Sequence, residues 1–205
     1  MTFDPNQLLN NPANLLSLKG QLTPRPPVEA PAEPTPPPPY DKAMYENAYG
    51  RLGLLRIANV ADLGCGVGNF TGVMVGRNQR PEVYLGVDIS HNNIKTAKAA
   101  YPGWNFIYGD FFDPGVRQHY ERFEAYLLLN VMDVLGDELA FLDTVPSEKP
   151  VLFSMPRFAK EGSARYFPDP MELRDRYSNH LSIKSVGRFG SALGEDYSMV
   201  VGTRW

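Results

Sequence analysis

Residues Val60–Phe70 read VADLGCGVGNF, an apolar strand that ends in an acid, then a Gly-x-Gly-x-Gly turn that opens onto the next helix. Glycine here lets the backbone turn sharply and approach a ligand where a Cβ would collide. Several nucleotide-binding folds carry a glycine turn after a strand, so its neighbours decide its meaning. Asp62 stands two residues before Gly64, a place suited to steering a bound zwitterion. The second strand ends in Asp88 within YLGVDIS, 22 residues beyond Gly66. A carboxylate there can accept hydrogen bonds from ribose hydroxyls. The third strand leads into Gly109-Asp110-Phe111, an acid and an aromatic side by side. Tight turns with incidental acids would not place acids at three successive strand ends. A nicotinamide-dependent Rossmann enzyme would carry Gly-x-Gly-x-x-Gly, whereas here the third glycine, Gly68, comes one residue early and Asn69 follows. That alternative also gives no reason for Asp62 or for the 109–111 corner.

Outward from this stretch, strands and helices alternate. Strands are expected at Ile57–Leu63, Glu82–Asp88, Trp104–Tyr108, Phe123–Leu129 and Pro150–Ser154. Helices are expected at 41–55, Asn69–Val75, Asn92–Tyr101, Asp133–Thr144 and Asp169–Ser178. Leu181–Val186 and Tyr197–Thr203 follow as strands without a convincing helix between them. Such a run predicts an α/β domain whose mostly parallel sheet closes on an antiparallel hairpin.

The series D-x-G-C-G-x-G, G-V-D-x-S and G-D-F, spread over roughly residues 55–135, resembles the cofactor signature of class I (Rossmann-like) S-adenosylmethionine (SAM)-dependent methyltransferases. The resemblance implies a seven-stranded sheet of order 3-2-1-4-5-7-6, helices on both faces, and SAM across the strand C-termini. Carried over by position, Asp62, Gly64, Cys65, Gly66 and Gly68 would surround the methionine part of SAM. Asp88 would hold the ribose with Ile89 against the adenine, and Asp110 and Phe111 would meet the adenine amino group and ring. Asn130 and Met132 would line the site near the sulfonium, and Tyr45 or Tyr49 would cover the amino-acid end. Cys65 invites a redox or nucleophile role, but a small side chain fitting between two glycines is the stronger reading.

The chain has 205 residues, 43% hydrophobic and 21% charged, with formal net charge −3. That mildly acidic balance gives no general affinity for nucleic acid or anionic membrane. No apolar run nears the roughly 20 residues that cross a bilayer, and the N-terminus lacks the features of a secretory signal. One cysteine precludes an intramolecular disulfide, and a cytoplasmic protein is expected. Nine of the nineteen prolines fall between Pro24 and Pro39. Residues 1–22 therefore read as a short helical N-terminal segment, 23–39 as a proline-rich linker and 40–205 as the methyltransferase domain. The leucines of the first segment suit either a tail packed on its own domain or a docking peptide, so a protein partner through residues 1–39 is an open expectation. Pro37-Pro38-Pro39-Tyr40 also fits a WW-domain ligand, a cheap match within a proline run.

Methyl transfer from a sulfonium needs alignment and exclusion of water, with a general base only when the acceptor holds a proton. The absence of a catalytic triad is therefore no objection to an enzyme. His91, His119 and His180 lack ligand spacing, and no metal site is expected. After the fourth strand the chain reads LLLNVMDVLGDE, without the Asn/Asp-Pro-Pro-aromatic motif of enzymes that methylate bases or glutamine amides. This disfavours nucleic acid and leaves a small-molecule or peptide-like acceptor, O- or N-directed. After the fifth strand, Ser154-x-Pro156-x-Phe158 resembles a stretch of methyltransferase-like proteins of methionine biosynthesis, with Arg157 in place of Asn. Arg157, Lys160, Arg165, Tyr166 and Phe167 in this loop suit an acidic or aromatic acceptor, or simply a solvated loop. Tyr166 and Asp133 are the catalytic candidates, and Asp133 reads equally as the N-cap of the next helix. A SAM-binding regulatory protein without catalysis, acting through a docked partner, is the alternative.

Overall fold

A computed structural model describes residues 42–159, 162–190 and 196–205. The expected N-terminal segment, the proline-rich linker and Lys160 lie outside the described residues. The elements run α1 (Lys42–Leu55), β1 (Asn59–Leu63), α2 (Asn69–Gly76), β2 (Val83–Asp88), α3 (His91–Ala100), β3 (Phe106–Tyr108), α4 (Pro114–Tyr120), β4 (Ala125–Leu128), α5 (Glu138–Thr144), β5 (Pro150–Pro156), α6 (Pro170–Tyr177), β6 (Leu181–Gly190) and β7 (Asp196–Arg204). All seven strands form one sheet of order β3-β2-β1-β4-β5-β7-β6. β1 to β5 are parallel neighbours, while β7 runs antiparallel between β5 and β6. This is the Rossmann-like order that the resemblance implies.

The central strands carry helices on both faces, so their sequences are apolar on both sides instead of alternating with polar residues. β4 shows this most plainly, since all four residues of AYLL are buried. Side chains still alternate along it. Tyr126 and Leu128 join a core with Phe141 and Leu142 of α5 and Leu173 and Tyr177 of α6. Ala125 and Leu127 join the opposite core with Met44 and Ala48 of α1, Phe70 of α2 and Ile94 of α3. Truncating Leu127, fully buried in the sheet centre, to alanine would cost ~2–5 kcal/mol in lost burial and cavity.

Short polar side chains set the helix starts. Ser90 caps α3, Asp113 caps α4, Asp137 caps α5 and Asp169 caps α6. Two expectations need correction here. α4 has no counterpart among the expected helices, because PGVRQHY has no apolar stripe and buries only Tyr120. The hydroxyl of Tyr126 instead clamps its C-terminal end, donating to the carbonyls of Tyr120 at 3.0 Å and Glu121 at 3.1 Å. The helix expected from Asp133 begins at Glu138, because Asp137 accepts from Ala140 N–H at 2.9 Å and fixes the first turn there. Asp133 is therefore not a helix cap. Among the described residues no helix is long and apolar enough to cross a membrane.

Candidate functional site

The C-terminal ends of β1, β2, β3 and β4 open on a cavity of about 450 Å³. Its floor is the glycine turn after β1. Gly64 and Cys65 donate their N–H groups to Val87 O at 2.7 and 3.0 Å, which folds the turn back over β2. Gly64 has φ +79°, and a Cβ there would stand 2.2 Å from Val131 Cγ2. Gly66, at φ +56°, has nothing within 4 Å of the place a Cβ would take. That open space belongs to the cavity, so the backbone is bare where a ligand can lie against it.

Asp88 joins the second strand end to this turn. Its Oδ2 accepts from Gly66 N–H at 2.8 Å, and its Oδ1 accepts from Ser90 N–H at 2.8 Å and Asn93 Nδ2 at 3.2 Å. Charge-assisted bonds to two backbone amides fix the carboxylate at the cavity wall. Asp110 stands at the third strand end and accepts from Phe112 N–H at 2.9 Å. Ile89, two-thirds exposed, and the adjoining rings of Phe111 and Phe112 give this side of the cavity apolar surfaces.

Of the residues that sequence places around a cofactor, Gly64, Gly66, Asp88, Ile89, Asp110, Phe111, Asn130 and Tyr45 line the cavity. Asp62, Cys65, Gly68 and Met132 do not. Asp62 is buried on the α1–α3 face of the sheet and accepts from Tyr84 O–H at 2.7 Å. Burial pushes its carboxyl up to about 7, against the lowering effect of the Tyr84 hydrogen bond, and the negative charge of Asp88 adds to the rise. Burial likewise pushes the Cys65 thiol up, and the carboxylates of Asp62 and Asp88 push the same way. A thiol so held is a poor nucleophile. Asn93, Phe112, Leu129, Val131, Val134 and Leu135 also line the cavity, and the sequence reading does not single them out. Phe112 and Val131 are chain neighbours of residues that it does, which is the available signal.

The acceptor-side expectations change more. Asp133 is wholly buried, accepts from Ser163 O–H, and offers its backbone carbonyl to Ala164 N–H at 2.8 Å. It pins the loop after β5 to the loop after β4 and does not face the cavity. Tyr166 is about half exposed and stands outside the cavity lining. Of the loop's cations, the two that are described, Arg157 and Arg165, are held by internal partners. Arg157 is paired with Asp196 and donates to Pro168 O at 2.8 Å. Arg165 meets the buried carboxylate of Glu138 at 3.0 Å and donates to Gly136 O at 2.9 Å. Internal carboxylates and carbonyls thus engage the two arginines that sequence offered to a ligand.

The family model described as FtsJ-like methyltransferase matches residues 45–148. No curated protein matches the chain in sequence. Among solved structures, the methyltransferase domain of bacterial CtHen1-C aligns with a TM-score of 0.62 at 17% identity, covering 80% of this chain and 97% of that one. Magnesium protoporphyrin IX methyltransferase from Synechocystis PCC 6803, solved with bound SAM, aligns at 0.58 and 16% identity over 80% of this chain and 79% of that one. A Haloferax volcanii putative methyltransferase in complex with the Trm112 methyltransferase activator aligns at 0.59 and 14% identity over 80% and 92%. Likeness at these identities is likeness of fold.

Proposed function

The chain belongs to the FtsJ-like methyltransferase family, and on that premise we propose that it binds SAM in the strand-end cavity and transfers the methyl group to a small-molecule or peptide-like acceptor. The cavity carries the reading. Its size falls within the roughly 300–1,000 Å³ usual for small-ligand sites. Its wall combines a bare glycine turn, two carboxylates at successive strand ends and apolar surfaces beside them. That donor set suits a nucleoside: Asp88 accepts from the ribose hydroxyls, Ile89 and Phe111 flank the adenine, and Asp110 meets its amino group. Tyr45 stands at the amino-acid end. Asp62, Cys65, Gly68 and Met132 act from behind this wall, shaping the turn and the loop after β4 without touching the ligand.

When bound, SAM supplies a methyl group on a good leaving group. The protein's part is then to align the acceptor and exclude water. Val131, Val134 and Leu135 give the acceptor end an apolar lining that sheds water. Tyr166 is the hydrogen-bonding or base candidate on the neighbouring loop, and Asp133 holds that loop in place instead of moving a proton. Residues 1–39 would serve recruitment of a protein partner and not catalysis.

The experiment is methyl release from labelled SAM by the full chain, against fractionated cell extract. Label transferred to a small, protease-resistant or peptide fraction is the expected result. Label confined to nucleic acid would overturn the acceptor class. Tight SAM binding with no transfer in any fraction would leave a SAM-binding regulatory protein.

A further inference from the structure

Phe112 and Val134 are large apolar side chains that line the strand-end cavity and yet stand 37% and 53% exposed. Both are held in place. The Phe112 ring meets the rings of Phe111 and Phe141, with centroids 5.4 and 6.0 Å apart. Val134 donates its N–H to Val131 O at 3.0 Å, and the carbonyls of Leu135 and Gly136 accept from Arg165 at 2.5 and 2.9 Å. A single exposed apolar residue needs no explanation. Two of them fixed at the lip of one cavity form a surface that a ligand would withdraw from water. The charges around the lip point the same way. Among the described residues that line the cavity there is no lysine, arginine or histidine, and the acids are Asp88 and Asp110. Arg165, beside the lip, is engaged by the two carbonyls and by the buried carboxylate of Glu138 at 3.0 Å. An anionic acceptor would therefore enter a cavity that holds two carboxylates and no described cation to pair with it. An uncharged acceptor avoids that cost.

We infer that the methyl acceptor is an uncharged aromatic small molecule that lies against Phe112 and Val134 at the cavity lip. This rests on the SAM reading of the cavity and narrows its acceptor class. By sequence the loop after β5 suits either an acidic or an aromatic acceptor. The internal partners of Arg157 and Arg165 remove the support for the first. Phe112 carries the second, because its exposed ring offers a surface on which another ring packs offset or edge-on, as Phe141 already does. Asp88 and Asp110 serve the nucleoside, which leaves the lip apolar for the acceptor.

Two probes that share a ring system and differ in charge provide the test. At pH ~7 the phenolic 2-naphthol is neutral and 2-naphthoate is an anion. Calorimetry on the full chain saturated with S-adenosylhomocysteine (SAH) gives the Kd of each for the wild type, Phe112→Ser, Val134→Ser and Val134→Lys. The wild type is expected to bind one 2-naphthol per chain, at least about tenfold more tightly than 2-naphthoate. Each serine variant should weaken 2-naphthol about three- to tenfold. Val134→Lys supplies the missing cation and should cut the preference for the neutral probe about tenfold. Both positions are exposed, so the variants keep the fold, which far-UV circular dichroism checks. Equal affinity for the two probes, tighter binding of 2-naphthoate, or binding of neither overturns the acceptor class while leaving the SAM reading intact. So does a 2-naphthol Kd unchanged in both serine variants, or displacement of 2-naphthol by SAH. A wild type that does not bind SAH overturns both.

Discussion

Replacing Asp62 by asparagine should remove a specific pH dependence from the stability of the fold. The carboxyl is buried, accepts from Tyr84 O–H at 2.7 Å, and is raised from 3.8 to about 7 in the folded chain. Below pH ~4 it is protonated whether the chain is folded or not. Between pH ~4 and ~7 the folded chain keeps a proton that the unfolded chain releases, so stability falls as pH rises. Above pH ~7 the loss is complete and the curve flattens with respect to this group. A rise of that size sets a ceiling of ~4 kcal/mol, and structural relaxation around the carboxyl should bring the observed value to roughly 2–3 kcal/mol. Asparagine presents the same oxygen to Tyr84 and cannot ionise. Asp88, whose charge contributes to the rise, is present in both proteins and largely cancels. Urea unfolding followed by tryptophan fluorescence, at constant ionic strength from pH 5 to 8, gives the difference between variant and wild type. That difference should grow in favour of Asp62→Asn up to about pH 7 and then level off. A flat difference, or one that shrinks with pH, would refute the reasoning.

Further expectations concern packing and the loop ion pairs. Gly64→Ala places a methyl 2.2 Å from Val131 Cγ2 at φ +79°, and should cost at least ~2 kcal/mol by chemical denaturation. Adding Val131→Ala should recover the steric part and not the backbone part. Arg157→Ala leaves Asp196, among the described residues, with a 3.8 Å contact to Arg188, and should cost roughly 2–4 kcal/mol, moderated by the partial exposure of Asp196. Its SAH affinity should stay at the wild-type value, since Arg157 stands outside the cavity; a marked loss would return this arginine to the binding site. Tyr166→Phe should likewise keep SAH affinity, and reduced methyl release in the extract assay would support its hydrogen-bonding role.

The parts of the fold set by local chemistry are legible in the sequence. Acids at the ends of β1, β2 and β3, the glycine turn between them and the apolar strands around them are near neighbours along the chain. The seven-stranded order follows from the family resemblance to that pattern. α4 escapes because its stability lies in the Asp113 cap and in Tyr126, a residue of the following strand. The same cap-then-proline signal that marks Asp169-Pro170 is present at Asp113-Pro114, but no apolar spacing accompanies it there. Asp62 reads as a ligand contact because it lies near the turn. Strand alternation puts it with Val60 on the face carrying Tyr84, so it supports the turn from behind. Arg157 and Arg165 read as ligand cations because their partners, Asp196 and Glu138, are distant in sequence. The brace from Ser154 to Asn130 spans 24 residues and two strands, and no local pattern announces it.

On the proposed reading, SAM in the strand-end cavity is held through Asp88. Calorimetric titration of the full chain with SAH, wild type beside Asp88→Ala, tests it most directly. The carboxylate's charge-assisted hydrogen bonds to the ribose, at ~1.5–3 kcal/mol each, should make the wild type bind one SAH per chain and weaken the variant at least about 30-fold. Absence of binding by the folded wild type, or equal affinity in Asp88→Ala, would contradict it.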